Sequence, residues 1–544
     1  MSDPTPLPGI DWSAHARRWT VILLTAGVVW RLVRYSLRFP LWSDEAGVVL
    51  NLVERHTYAD LLRPLDRLQV APLGFLAAQF TAVQHGGTSE YTLRLFPLIT
   101  GLAALLFFAR LAWLALPPLG AMCAVGVLTA THYVTRYSLD IKPYGTDLMV
   151  AAALLMLAVQ WSRAARPRRW LVLLITVTPL ALALSFPSVF VAGAIGIGLL
   201  PILWRRRSGS ADWALFGVYT AVVGLSFAGL LYLSTSAQYE QTKTEMLVYW
   251  VRGLPPLDPL RFVVWLIDVH TAEMMSYPLG GKNGASVITL LLCLVGIRVL
   301  LRRGQTDLLL LLGSIFMLTL VAAVFRRYPY GGSARVAQHL APAICLLVGA
   351  ALAGIVGAFD TVARQRTAGM IASVTLLLLA VGGLARDVLH PYHTKVHQDL
   401  YTLMSAWRRD RLADSGVWLM NRFDALPLPV QWYLLQVVDG DRARLDGGPL
   451  DPAVLTRHRE WWVLNCDPRQ EGNAALPPRA QLSAAGYVLG PTRRLVLSQS
   501  SPGVPSDILE LQQWRAPGQG LRLPSGVRYA PSAVAARRTR IMPE

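Results

Sequence analysis

Charge is scarce in this chain of 544 residues: 15% of them are charged, while 53% are hydrophobic. An ordinary soluble domain carries about 25% charged residues, so that class is excluded. Acidic residues are the scarcer sign, with 33 Asp and Glu against 51 Lys and Arg, a formal net charge of +18. Such an excess suits nucleic-acid binding, but here the arginines fall in short clusters between apolar runs. That is the placement membrane orientation demands, and nucleic acid is set aside as a partner. Strand-like alternation is lacking in the apolar runs, so helices are the only design by which they cross lipid. Cysteine is rare too: Cys123, Cys293 and Cys345 lie in apolar runs as small hydrophobes, and Cys466 is alone in the C-terminal region. No disulfide framework is available there. No small-residue cleavage site follows Arg17-Arg18 and the first apolar run, which therefore reads as an uncleaved anchor. An internal repeat of the kind that marks many transporters is also missing.

What is present is a series of apolar runs of the length a bilayer requires, about 20 residues each. They cover residues 19–38, 93–116, 119–138, 144–161, 170–204, 213–233, 286–301, 308–325, 340–359 and 370–384. The run at 170–204 divides at Ser185-Phe186-Pro187, so about eleven crossings are expected. A shorter apolar stretch at 72–83 predicts an interfacial or re-entrant helix. With Arg17-Arg18 cytoplasmic, the clusters at 163–169, 205–207, 298–303 and 364–366 fall on the same side. The segments at 40–90 and 234–285, and everything after 385, then lie outside. The expected location is a bacterial cytoplasmic membrane, with the N-terminus inside.

After residue 385 the apolar runs shorten and polar residues, Pro and Gly return. Residues 415–421 and 460–465 predict buried strands, and 429–437 and 480–485 predict helices between strands. The division is thus a polytopic helical unit over 1–385 and an extracytoplasmic α/β domain over 386–544. From about Ser500 the tail reads as irregular, with one strand at 508–512.

On this topology several segments meet at one membrane face. Pro40-Leu41-Trp42-Ser43-Asp44-Glu45 places two carboxylates where the first span ends. Intramembrane or boundary carboxylates mark functional sites, although Asp44 and Glu45 also suit the first turn of a surface helix. Arg136-Tyr137-Ser138-Leu139-Asp140-Ile141-Lys142-Pro143-Tyr144 is a tight turn between spans, readable alone as a polar turn with a belt tyrosine. The run from Arg326 and Arg327 through Tyr330 and Arg335 to His339 is basic on the side where the rule expects few arginines. Binding an anion accounts for that, as does pairing with Asp44, Glu45 or Asp140. In 234–285, Asp268, His270, Glu273 and Lys282 match no metal spacing, and His393 and His397, four apart, read as surface residues. Asp44 and Asp140 are the pair able to share a divalent cation through oxygen ligands; no other cofactor is expected.

The order of these motifs resembles that of the GT-C superfamily of membrane glycosyltransferases. It is similar in particular to bacterial relatives of protein O-mannosyltransferases and the lipid A aminoarabinose transferase. The likeness spans roughly residues 19–345 and, more loosely, the C-terminal region. It implies an inverting transfer of sugar from a polyprenyl-phosphate donor to a hydroxyl of a glycan, lipid or protein acceptor, on the outer membrane face. Asp44 is then the expected base, Glu45 its orienting neighbour and Asp140 the second acidic motif. Lys142, Tyr144, Arg326, Arg327, Tyr330, Arg335 and His339 are the expected substrate-binding groups. The competing class is a transporter or flippase, whose ionisable groups belong near the bilayer midplane on broken helices; here they collect at span ends.

Overall fold

The computed structural model describes residues 10–164, 167–281, 284–411, 415–420, 423, 426–437, 443–444, 452–466, 477–497 and 508–516. Lys282, Asn421 and most of the tail beyond Ser500 lie outside these residues. Two compact units are formed, Met1–His393 and Thr394–Glu544.

The first unit is a helical bundle. Its elements are α1 (Ser13–Ser36), α2 (Ser43–Val53), α3 (Leu73–Gly86), α4 (Glu90–Ala115), α5 (Pro118–Ala130), α6 (His132–Tyr137), α7 (Tyr144–Arg163), α8 (Pro167–Leu184), α9 (Ser188–Arg205), α10 (Ser210–Leu230), α11 (Ser236–Tyr249), α12 (Pro259–Thr271), α13 (Ser286–Arg302), α14 (Thr306–Val324), α15 (Ala341–Gly357) and α16 (Val362–Leu389). Among the described residues, eight helices are long and apolar enough to cross a membrane: α4, α7, α8, α9, the run Ser210–Tyr249, α14, α15 and α16. The remaining expected runs fall on α1, on α5, which stops after 13 residues, and on α13, which has 17. The chain is a polytopic membrane protein. Exposed apolar side chains on its outer helices, such as Leu225, Leu291 and Leu378, are what a lipid-facing surface requires.

Local chemistry sets the breaks. The run at 170–204 is divided, as expected, between α8 and α9 at Ser185-Phe186-Pro187. Pro118 opens α5, where its missing N–H costs nothing. The run at 119–138 is interrupted at Thr131, which takes an extended conformation between α5 and α6. Small residues bring the central helices together. A Cβ at Gly349 would lie 2.5 Å from the Gly120 carbonyl, and one at Gly296 would lie 2.1 Å from that of Leu347. α15 therefore packs backbone to backbone with α5 and α13, the close approach that drives helix association in lipid. The segment 234–285, expected to be a polar loop, is largely helical through α11 and α12.

One end of the bundle is tied by buried polar contacts. Arg34 near the end of α1 pairs with Asp387 near the end of α16 at 3.1 Å, both side chains fully buried, and Trp30 donates to the same carboxylate at 2.8 Å. α16 thus continues past residue 385 and carries the first unit to His393.

The second unit opens with α17 (Lys395–Asp410), capped by Thr394, with Leu400, Leu403, Met404 and Trp407 on its buried face. Its sheet is built from β1 (Gly416–Leu419), β2 (Ala443–Arg444), β3 (Glu460–Asn465), β4 (Val488–Val496) and β5 (Ile508–Arg515) in the order β2-β1-β3-β5-β4. β1 runs parallel to β2 and β3, while β5 is antiparallel to β3 and β4. β3 occupies the expected stretch and is buried throughout. The long β4 was not expected, because Arg493 and Arg494 interrupt its apolar pattern. Trp418, Trp461, Leu482, Tyr487 and Trp514 form the core of this unit.

Candidate active site

Glu45 sits in the first turn of α2, where it accepts the Trp42 N–H and closes the helix start. Both its oxygens also lie 3.0 Å from Nη2 of Arg94, and Oε1 accepts the Ile141 N–H at 2.9 Å. Arg94 in turn donates to the Phe39 carbonyl and lies 3.7 Å above the Phe39 ring. One fully buried carboxylate thereby clasps the 39–45 segment, the start of α4 and the 138–143 turn. Burial pushes the Glu45 carboxyl up, against the pull of Arg94 and the two N–H groups. These contacts hold the start of α2, which carries Asp44, against α4 and the 138–143 turn.

Asp44, one residue earlier in the helix, pairs elsewhere and remains about a quarter exposed. Its Oδ2 accepts from Arg335 Nη1 at 2.7 Å. Arg335 also donates to the Tyr249 hydroxyl and lies over the rings of Trp42, Tyr249 and Trp250 at 5.1, 5.5 and 5.0 Å. A flat guanidinium suits such an aromatic enclosure, where it keeps its charge while shedding water.

The loop carrying Arg335 is pressed into place from below. Gly331 and Gly332 adopt left-handed conformations, with φ of 71° and 75°. The Tyr330 N–H bonds the Gly253 carbonyl at 2.7 Å, and its hydroxyl meets His270 Nε2 at 3.1 Å. Glu273 accepts from the Ala334 N–H. Tyr330 and His270 hold this loop and lie under it; Tyr330 shows no contact with the carboxylates among the described residues.

Asp140 is buried, with His393 Nε2 3.3 Å from its Oδ2. Burial opposes the charge of Asp140, but His393, with Arg34 and Arg136 behind it, outweighs burial and holds the carboxyl below its usual range. For His393 burial dominates and lowers the imidazole, although Asp140 draws it the other way. The His393 ring stacks on Trp42, centroids 4.5 Å apart. Trp42 is thus shared: His393, bound to Asp140, stacks on it, and so does Arg335, bound to Asp44. His393 was read from the sequence as a surface residue. Nothing local could correct that, since its partner is 253 positions away.

Lys142 is buried, donates to Gln69 Oε1 at 2.5 Å, and feels the charges of Asp44, Arg335, Glu45 and Asp140. Burial lowers its ammonium below the usual lysine range. Tyr144 opens α7, packs edge-on against Tyr137 and lies within electrostatic reach of Arg335 and Asp44. Asp44, Asp140, Lys142, Tyr144 and Arg335 are brought into one neighbourhood.

Other expected residues are elsewhere. Arg326 and Arg327 are exposed; Arg327 lies over the Tyr239 ring at 4.8 Å, and the Arg326 carbonyl accepts from the Tyr239 hydroxyl. Among the described residues neither contacts a carboxylate of the site. They follow α14 directly, and the loop turns inward only after them. His339 is buried against Phe190 and Tyr328 and bonded to Thr319, because the turn Gln338–Leu340 folds it into the bundle. The sequence reading did not single out Arg94, Gln69, Tyr249 and Trp250. A signal existed only for Arg94, an arginine in the first turns of an apolar run.

Of the two carboxylates expected to be able to share a divalent cation, Asp44 is paired here with Arg335 and Asp140 with His393. Among the described residues no three His, Cys, Asp or Glu side chains are grouped to hold a metal ion.

No protein-family profile and no curated protein sequence matches the chain. Among solved structures, ArnT from Cupriavidus metallidurans in the apo state is similar with a TM-score of 0.50 at 11% identity, covering 92% of this chain and 98% of that one. The same protein bound to undecaprenyl phosphate gives 0.48 at 11%, covering 90% and 98%. The Archaeoglobus fulgidus oligosaccharyltransferase, in complex with Zn and sulfate, gives 0.48 at 13%, covering 82% and 68%. At such identity the likeness is one of fold. The chain is a polytopic membrane protein whose fold is similar to that of the apo ArnT structure.

Proposed function

We propose that this protein is an inverting glycosyltransferase that moves a sugar from a polyprenyl-phosphate donor to an acceptor hydroxyl at the outer face of the cytoplasmic membrane. The observation that carries the reading is Asp44, a partly exposed carboxylate at a helix start, set beside a caged Arg335 and a buried Lys142. The resemblance of the motif order to GT-C enzymes, on a chain whose fold is similar to that of apo ArnT, supplies the substrate class.

The chemistry follows from these groups. The acceptor oxygen attacks the anomeric carbon as Asp44 takes its proton, a contribution of about 10²–10⁴ in rate. The bond from that carbon to the phosphate oxygen breaks, and the phosphate leaves with the electron pair. Being a weak base it needs no proton, and Arg335 and Lys142 are the cations that stabilise it. A single displacement inverts the anomeric carbon. In the unliganded pair Arg335 occupies Asp44. A donor phosphate competes for the guanidinium and frees the carboxylate, so donor binding precedes acceptor activation. Glu45 and Asp140 act as positioning groups through Arg94, Ile141 and His393.

The test uses the purified full-length protein with a panel of radiolabelled polyprenyl-phosphate sugars, reading transfer or release of label. Asp44→Asn keeps the shape and removes the base, and should lower the rate by about two orders of magnitude or more. Full activity in a folded Asp44→Asn protein overturns the base assignment. Failure of the wild-type protein with every lipid-linked sugar overturns the donor class.

A further inference from the structure

At the end of the bundle opposite Asp44, a cavity of about 500 Å³ opens between α7, α9 and α14. It is independent of the site described above, since α7 alone, with 20 residues, separates the two ends by about 30 Å. Among the described residues, Arg163, Arg205 and Arg206 line it against one acid, Asp307. Each arginine is only partly committed. Arg163 donates to the Ala115 carbonyl at 3.1 Å, Arg206 to the Ser162 carbonyl, and Arg205 pairs with Asp307. A guanidinium carries five N–H donors, so most of this donor capacity stays available to a ligand. Beneath the arginines the wall is apolar, formed in part by Leu308 and Leu311.

The positive-inside pattern accounts for arginines at this end, but it does not require them to converge on a cavity with an apolar floor. We propose that this cavity binds the phosphate of an anionic lipid, its head group on the arginines and the start of its chains against the α9 and α14 side chains. Basic pockets between membrane helices take such head groups through charge and planar hydrogen bonding together. Asp307 tempers the site by competing for Arg205.

The test measures lipid binding by the purified full-length protein with native mass spectrometry, titrating phosphatidylglycerol and phosphatidylcholine. The wild-type protein should prefer phosphatidylglycerol, and R163Q/R206Q should weaken its binding by about tenfold or more while sugar transfer is retained. D307N, which removes the competing acid, should bind phosphatidylglycerol at least as tightly as wild type; weaker binding overturns the proposal even where the double variant fails to fold. Equal binding of the two lipids, or an R163Q/R206Q protein indistinguishable from wild type, also overturns it. Displacement of phosphatidylglycerol by millimolar inorganic phosphate assigns the site to a free phosphate and overturns the lipid source.

Discussion

Arg335 donates to Asp44 at 2.7 Å across 291 positions of chain, and the same guanidinium is enclosed by Trp42, Tyr249 and Trp250. Its planar fork reaches both the carboxylate and the Tyr249 hydroxyl. Lysine offers a point charge that cannot span the two. Arg335→Lys should therefore lower transfer by about tenfold or more, with a raised KM for the lipid donor. Steady-state kinetics over a range of donor concentrations checks this. Wild-type kinetics in the variant would remove Arg335 from donor binding.

The Glu45–Arg94 clasp joins segments far apart in the chain, so its loss should be felt as stability. Arg94→Ala strands a buried carboxylate and should destabilise the protein by about 3–5 kcal/mol, the range for breaking a buried pair. Thermal unfolding of the purified protein in detergent reports it as a lowered Tm. The double variant E45Q/R94M, which strands no charge, should recover part of the loss. A single variant with unchanged Tm would show that the clasp contributes little.

His393 makes the site sensitive to acid. Burial holds its imidazole below the usual value near 6.5, so between the folded and unfolded values the folded protein binds fewer protons than the unfolded chain. Stability therefore falls as pH drops below about 6.5. Asp140, held below its usual range, adds the same trend at still lower pH, as its charge is lost through the folded value. His393→Gln should lower the Tm at neutral pH, because it leaves Asp140 without its partner, but should flatten the change between pH 7.5 and 5.5. Parallel pH profiles in variant and wild type would count against this role.

Gly331 turns the loop that delivers Arg335 through a left-handed conformation. A Cβ there would come within 2.4 Å of Val269 Cγ1 and would carry a backbone conformation costing about 1–3 kcal/mol. Gly331→Ala should reduce transfer more than it reduces Tm, since it moves Arg335 without opening the core. Measuring both on one preparation separates the two effects; an active variant shows that the loop tolerates the shift.

The proposed orientation is open to chemical labelling. Arg63, at the Asp44 end, and Asp360, at the arginine-rich end, are both highly exposed. In a Cys466→Ser background, Arg63→Cys should react with a membrane-impermeant maleimide in intact spheroplasts, and Asp360→Cys only after lysis. The reverse pattern inverts the topology and moves the site to the other face.

Hydropathy is a local property, and what depends on it was legible in the residues themselves. The sequence alone located the apolar runs, the break at Ser185-Phe186-Pro187, the membrane class, the C-terminal α/β unit and the segments around Asp44, Asp140 and Arg335. Pairing is not local. Whether a carboxylate faces a guanidinium, an imidazole or water depends on how helices distant in sequence pack, and only the tertiary structure decided it. Packing turned Glu45 inward to Arg94 while leaving Asp44, one residue earlier, partly exposed. It drew His393 to Asp140, left Arg326 and Arg327 on the surface beside Tyr239, and buried His339 against Thr319. It also shaped the arginine-lined cavity, whose residues are contributed by helices that hydropathy places but does not bring together.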